Sequence, residues 1–396
     1  MMRAAGILVG KALVHFLVLA ILVRLVRDTG VRMMYPYLPV YAAGLGISLT
    51  AMGSLLALRN GLLLLAPFFG HLADRSGSRR YLLVGFGLLS LGMGLLGWGQ
   101  GMMAAVAAFL LLGAADAINT ALMQAYVSEH VGPAVRGRAL ATVEYAWAIT
   151  GILILPLIGW LLAAGDAQAP FRLMSLAAVG GWCLLALVMP GDPPRPARRS
   201  PGLWRQMAGI LRDRSTLAAV LVSAFIFVAV ESFFVVWGAH LERRFGLQPG
   251  QVGFVALVIG LAELGGSVLS SLVIDRVGKR RGTLGGVLAF ALVLALMPWF
   301  DHSMATLIVG LALASLCLEY SVVSSIPLLG QQRPASRASV FGLGVMAAAF
   351  TRSLSAPIAV WLFDHIAFIA AIGYAIVALL VALWLLWRHV EERAES

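Results

Sequence analysis

Acidic side chains interrupt several long apolar segments of this sequence. Asp28, Asp116, Glu231, Glu263 and Glu319 each stand inside a segment of helical length. A carboxyl group in apolar surroundings favours its protonated form unless a cation compensates it, and this is the condition for binding and releasing a proton. Glu319 and Glu231 are the first candidates for a proton-coupling site, followed by Glu263 and Asp116. A neutral glutamate hydrogen-bonded within a helix interface is the competing interpretation.

Arginine side chains surround the first of these acids. Arg24, Asp28 and Arg32 are four residues apart and share one helix face, with Arg27 beside Asp28. An acid among arginines stays ionised, so this group is either an internal salt-bridge network or a cationic site that contacts an anionic group of a ligand. Two more arginines inside apolar segments belong to the same set of candidates: Arg59 and Arg352.

The second half of the chain contains fewer bases. Glu231, Glu263 and Glu319 have only Arg352 as a basic residue inside the apolar segments of that half, so we expect them to be poorly compensated. Small residues flank Glu263 and allow close helix approach or access of water. Glu144, near the start of another segment, either pairs with an arginine or lies at an exposed boundary.

The amino-acid composition indicates which environment surrounds these apolar segments. Charged residues make up 12% of the 396 residues and hydrophobic residues 61%, whereas a soluble chain carries about a quarter charged residues. A lipid bilayer must therefore surround much of the surface. A net charge of +11 could suggest nucleic acid, but the basic residues lie in short loops between apolar runs, which is typical of membrane topology signals.

The apolar runs predict an all-α polytopic membrane protein with twelve transmembrane helices. The predicted spans are residues 12–42, 48–73, 81–98, 103–127, 138–163, 170–190, 216–239, 250–274, 282–300, 304–329, 338–362 and 366–387. The first span exceeds the ~20 residues that a bilayer requires, so it is expected to tilt, to bend near Pro36 and Pro39, or to protrude. The loop arginines and lysines place both termini on the cytoplasmic side of the cell membrane.

A proline-rich stretch separates two groups of six predicted spans. Residues 1–190 are predicted to form an N-terminal six-helix bundle and residues 216–396 a C-terminal one. Residues 191–215 form the linker, which contains a short amphipathic helix after Leu203 that lies on the inner membrane surface.

The two halves are repeats of one unit. Gly70–Arg80 and Ser271–Arg281 are near-copies offset by 201 residues, and Pro156 matches Pro357 at the same offset. Parallel internal repeats of six spans are typical of secondary transporters.

The repeated loop resembles the signature G-x-x-x-D-R-x-G-R-R/K of the major facilitator superfamily. The first copy matches it at Gly70, Asp74, Arg75, Gly77, Arg79 and Arg80, and the second at Asp275, Arg276, Gly278, Arg280 and Arg281. The resemblance implies two six-helix pseudo-repeats that rock around a central cavity lined by spans 1, 4, 7 and 10. It also implies a gating role for the loop residues at the cytoplasmic side.

A second motif resembles the antiporter signature G-x-x-x-G-P-x-x-G-G of the same superfamily. Gly151, Pro156 and Gly159 match it, whereas Leu155 and Trp160 stand where glycines are usual. Tyr145, Trp147 and Tyr320 are candidates for the wall of the cavity.

The sequence as a whole favours a proton-coupled secondary transporter that exports a small organic or amphipathic compound. An organic-anion or sugar symporter, or a lipid translocase, is the alternative within the same class. A membrane-embedded enzyme is disfavoured because no metal-ligand cluster, catalytic triad signature or P-loop occurs in the sequence. We expect a monomer among membrane lipids that uses no cofactor or metal and binds no nucleic acid.

Overall fold

A computed structural model describes residues 10–131, 136–192, 212–333 and 337–392. The predicted amphipathic linker helix falls within residues 193–211 and lies outside the described residues. The described residues form twelve helical segments, α1 to α12, several of which consist of two or three helical pieces. The all-α fold with two six-helix repeats agrees with the sequence prediction.

The N-terminal half contains α1 to α6. Their bounds are Lys11–Arg32 continued by Leu38–Leu45 for α1, Leu49–Leu62 continued by Ala66–Ser76 for α2, Ser78–Trp98 for α3, Gly101–His130 for α4, Arg136–Ile149 continued by Leu155–Ala163 for α5, and Ala169–Cys183 continued by Leu184–Val188 for α6.

The C-terminal half contains α7 to α12. Their bounds are Arg214–Phe245 for α7, Pro249–Val277 for α8, Lys279–Ala295 continued by Met297–Phe300 for α9, Met304–Gly330 for α10, Arg337–His365 for α11 and Phe368–Arg388 for α12. Successive segments run in opposite directions, so the basic loops lie together at one end of the bundle, and we call the opposite end the far side.

Ten of these segments are long and apolar enough by themselves to cross a membrane. In the described residues, the other two are the charge-bearing Lys11–Arg32 of α1 and the 17-residue Lys279–Ala295 of α9. α7 is the most enclosed segment, because 78% of its most apolar window is buried against 33% for α6.

Prolines lie at the breaks inside α1 and α5. α1 is interrupted by a turn at 33–37 that includes Pro36, so of the three expectations for the first span the structure shows the bend. In α5, residues Thr150–Ile154 form a π-helical turn directly before Leu155 and Pro156. Proline has no N–H to donate and its ring crowds the carbonyl four residues earlier, so the helix widens at that point.

Candidate functional site

The acid of α1 is neutralised within its own helix. Asp28 has no exposed surface, and it accepts hydrogen bonds from Arg24 Nε at 3.1 Å and from Arg27 Nη1 at 2.8 Å. Arg24 Nη2 also donates to the carboxylate of Glu144 on α5 at 2.5 Å. An internal salt-bridge network is thus present around Asp28, and Glu144 combines both alternatives, because it pairs with Arg24 and is also exposed.

The acid of α4 pairs with an arginine of α2. Arg59 Nε lies 2.6 Å from an oxygen of Asp116, and Arg59 Nη2 donates to the carbonyl oxygen of Gly30 at 3.0 Å. Both charged side chains are buried. Arg59 therefore belongs to a separate pair with Asp116 rather than to the group around Asp28.

An ion pair joins the two halves. Arg32 on α1 donates through Nη2 to the carboxylate of Glu263 on α8, and both side chains are 3% exposed. The expectation that Glu263 has only Arg352 as an available base is wrong, because this expectation considered bases of its own half alone. The Arg32 guanidinium also donates to the carbonyl oxygen of Trp147 at 2.9 Å and lies 4.8 Å from the centre of its ring.

Glu231 of α7 lies in a fully bonded site. Arg352 Nε of α11 lies 2.7 Å from one carboxylate oxygen, while the Tyr35 hydroxyl and the Asn60 amide donate to the other at 3.1 and 3.0 Å. Arg352 Nη2 in turn donates to the Tyr35 hydroxyl at 2.7 Å. Sequence reasoning missed Tyr35 and Asn60 as partners, since both come from the other half of the chain.

Glu319 of α10 differs from the other acids. Within the described residues it makes no ion pair, and its carboxylate accepts a hydrogen bond from Ser267 Oγ of α8 at 2.9 Å. A β-carbon on Gly266 would lie 3.2 Å from that of Glu319, so the two helices approach closely here. Ser267 is one helical turn after Glu263, which brings the two carboxyl groups near enough for their charges to interact.

The three aromatic candidates take different places. Tyr145 is 55% exposed, next to Glu144 on α5, and Trp147 is partly buried against Arg32. Tyr320 is not at the site, because its ring packs on Gly286 of α9 inside the C-terminal half. Successive residues on a helix point about 100° apart, so Tyr320 is turned away from the direction of Glu319.

The motif on α5 forms the contact with α8. A β-carbon at Gly151 would lie 2.9 Å from the guanidinium of Arg32, and one at Gly260 would lie 3.0 Å from the backbone of Gly151. A β-carbon at Gly159 would lie 2.5 Å from the backbone oxygen of Pro249. The residues that resemble the antiporter signature therefore let α5 and α8 touch and leave room for the arginine between them.

The two basic loops make equivalent hydrogen bonds to helix ends, and we call each set of these bonds a clamp. Arg79 donates to the carbonyl oxygens of Leu185 and Ala186 at the end of α6, each at 2.8 Å. Arg280 donates in the same way to Leu386 and Trp387 at the end of α12, at 3.1 and 2.7 Å. These arginines link helix ends within each half.

Acidic residues complete the clamps. Asp192 accepts from the backbone amides of Ser78 and Arg79, and Glu392 accepts from the amide of Lys279. The helices begin after Gly77 and Gly278, whose φ angles of 99° and 95° suit glycine. Sequence reasoning missed both acids, although they follow α6 and α12 at nearly equivalent positions.

The remaining loop residues make no contact described above. Arg80, Arg276 and Arg281 are exposed, and Gly70 has open space beside it. The side chains of Asp74, Arg75 and Asp275 lie outside the described part of the structure, so their gating role stays a prediction.

On the far side the two halves touch. Thr50 of α2 donates to Asp364 of α11 at 3.1 Å, and a β-carbon at Gly53 would lie 2.9 Å from Val360. The backbone at Pro36 packs directly on Gly238 of α7. Below this contact lies a small cavity lined by Arg32, Tyr35, Pro36, Leu155, Phe234, Trp237, Ala256 and Ile259.

Known proteins share this architecture. A family model described as the Major Facilitator Superfamily matches residues 20–241 and, again, residues 219–396. The uncharacterized MFS-type transporter YceJ of Bacillus subtilis (strain 168) is 27% identical over 169 residues, which is 42% of this chain and 42% of that protein. The matched region thus spans less than half the length of this relative.

Two solved structures are similar in fold. The crystal structure of the human organic anion transporter MFSD10 (TETRAN) has a TM-score of 0.71 at 18% identity, covering 95% of this chain and 100% of that one. The crystal structure of a D-xylose-proton symporter has a TM-score of 0.75 at 16% identity, covering 95% and 97%. At these identities the likeness concerns the fold alone.

Proposed function

Because this chain belongs to the major facilitator superfamily, we propose that it is a proton-coupled secondary transporter that exports a small organic or amphipathic compound. The observation that carries the proposal is the environment of Glu319. Among the described residues this carboxyl group receives a hydroxyl hydrogen bond and no arginine, whereas Asp28, Asp116, Glu231 and Glu263 are each ion-paired. Glu319 is therefore our proton-binding residue.

The other proton-site candidates are less suitable. Each of these acids pairs with an arginine of its own half, Glu231 with Arg352 and Asp116 with Arg59, so the two groups stay together when the halves move. Protonating either carboxylate would leave its buried guanidinium without a counter-charge. Such uncompensated charges cost about 3–5 kcal/mol in proteins. This argument favours structural roles for both pairs.

The charge arrangement also bears on the substrate. Each of the five arginines inside the segments bonds a carboxylate, so an anionic substrate would have to displace an internal acid. The exposed groups are instead the ring of Tyr145 and the carboxylate of Glu144, and Glu144 already pairs with Arg24. These features support a neutral amphipathic substrate over an organic anion.

Alternative substrates remain as competing proposals. The solved structures with this fold include an organic anion transporter and a xylose-proton symporter, so sugar or anion symport is the runner-up, followed by lipid translocation. Close contact of α5 and α8 at Gly151 and Gly159 supports export, because these positions resemble the antiporter signature.

The proposal includes the arrangement of the protein in the cell. Residues 1–190 and 216–396 are the two moving units, joined by the linker at 191–215. The protein works as a monomer in the cell membrane with both termini in the cytoplasm. Contact of the halves on the far side supports a conformation closed to the outside.

A transport assay in proteoliposomes tests the function. An imposed pH gradient should drive uptake or efflux of lipophilic test compounds, and Glu319→Gln should abolish the pH-driven component, because the amide keeps the Ser267 hydrogen bond but binds no proton. The control is Glu129→Gln at the basic-loop end of α4, outside the proposed site. If Glu319→Gln keeps full pH-driven transport, or if the wild type responds to no pH gradient, the proposal is wrong.

A further inference from the structure

The pair between Arg32 and Glu263 is unusual among the ion pairs of this bundle. Among the described residues it is the one arginine–carboxylate pair that joins the two halves. The other intramembrane pairs join residues of the same half, as between Arg59 and Asp116 or between Arg352 and Glu231. A rocking motion of the halves would therefore break this pair and leave the others intact.

Arg32 is anchored to its own half. One guanidinium nitrogen donates to the carbonyl oxygen of Trp147 at 2.9 Å, and the guanidinium stacks on the ring of the same residue. The absence of a side chain at Gly151 provides the space that the guanidinium occupies. When the halves separate, Arg32 stays with α1 and α5 while Glu263 leaves with α8.

Glu263 has few other partners. Its second carboxylate oxygen, Oε1, is buried without a hydrogen-bond partner. The charged groups that face it are Arg32 on α1 and Glu319 on α10, and Glu144 on α5 acts on Glu319 from the other half. Without Arg32, Glu263 would be a buried carboxylate beside a second acid, and such a group takes up a proton.

We propose that Glu263 is a second proton-binding residue, and that the movement of Arg32 couples its protonation to the rocking of the two halves. When the far side opens, Glu263 loses Arg32 and binds a proton. When the far side closes, the returning guanidinium displaces that proton toward Glu319 or the aqueous space, and Arg32 keeps its charge throughout. This inference deepens the proposed function and rests on it.

The inference can be tested without knowing the substrate. Spin labels are attached to cysteines replacing the exposed far-side residues Ala164 and His302, after Cys183 and Cys317 have been changed to serine. Distances between the labels are measured in lipid nanodiscs as a function of pH. All variants carry Glu319→Gln, so that residual pH dependence does not come from Glu319.

We expect the far side to open as the pH falls in this background, because protonation of Glu263 weakens the pair with Arg32. A single linked proton changes the ratio of open to closed populations by up to about tenfold per pH unit. Glu263→Gln and Arg32→Gln should both abolish this pH dependence, whereas Arg32→Lys should retain it because the cation is kept.

Thr50→Val provides the control. This substitution removes another contact between the halves, the hydrogen bond to Asp364, without removing a titratable group, so it should shift the populations but leave their pH dependence unchanged. The inference is overturned if the Glu319→Gln background shows no pH dependence, or if that dependence survives Glu263→Gln. Either result leaves the proposed function standing as long as Glu319 still governs pH-driven transport in proteoliposomes.

Discussion

At the scale of single residues, the environment of a carboxyl group decides what it can do. A lone charge in the middle of a bilayer costs about 2.5–3.5 kcal/mol on insertion scales, so each internal acid needs a partner or a proton. Asp28, Asp116, Glu231 and Glu263 have arginines, whereas Glu319 has the Ser267 hydroxyl. Five acids that look alike in sequence thus divide into four that pair with an arginine in this conformation and one, Glu319, that does not.

The absence of a side chain at Gly151 leaves the space through which Arg32 reaches Glu263 and Trp147. Gly151→Ala should destabilise the protein by about 1–3 kcal/mol, because the new methyl group would lie 2.9 Å from the Arg32 guanidinium. Thermal unfolding in detergent measures the loss. Gly180→Ala on α6 is the matched control, since open space surrounds that glycine. Equal stability of both variants would show that the space at Gly151 is not required.

At the scale of helices, the irregular turn inside α5 and the capped ends of α3 and α9 determine where neighbouring side chains lie. The π-helical turn at Thr150–Ile154 widens α5 ahead of Pro156, next to the place where Arg32 and Trp147 meet. At the basic-loop end, Asp192 caps α3 and Glu392 caps α9. Each cap satisfies amides that have no partner within their own helix.

The caps of α3 and α9 lead to a prediction about hydrogen exchange, in which each substitution affects its own half only. Asp192→Ala should increase deuterium uptake at the amides of residues 78–79, and Glu392→Ala should do so at residue 279, since each removes a cap worth about 1 kcal/mol. Each variant serves as the control for the other half. Increased exchange in both halves from one substitution would mean that the clamps are not independent.

At the scale of the whole molecule, the duplicated scaffold and the unduplicated charges have different roles. The clamps repeat, with Arg79 and Arg280 bonding equivalent helix ends. The pair of Arg32 and Glu263 does not repeat, because the apolar residues Phe233 and Leu62 stand at the equivalent positions. The scaffold is therefore common to the two units that we propose to move, and the differences between them provide the proposed coupling site.

The orientation of these units can be tested by labelling. In a background without Cys183 and Cys317, a cysteine at Arg276 should react with an impermeant maleimide only after the cells are opened. A cysteine at Ala164 should react in intact cells. Both native residues are exposed, so accessibility is set by the membrane alone. The reverse pattern would contradict cytoplasmic termini.

The sequence by itself determined the twelve segments, their approximate ends, the repeat and the family resemblance. These features depend on apolar length, on glycine and proline, and on loop charge, all of which are local properties of the chain. The bend near Pro36 and the pairing of Asp28 with Arg24, one helical turn away, were predictable for the same reason.

Only the tertiary structure decided which acid stays without an arginine. Arg32 reaches Glu263 across 231 residues of sequence, and Tyr35 and Asn60 reach Glu231 from the other half. Such pairs depend on the orientation and crossing of two different helices, and the residue pattern of one helix does not specify either. Tyr320 was misplaced for the same reason, because its neighbour Glu319 and its own ring point about 100° apart on α10.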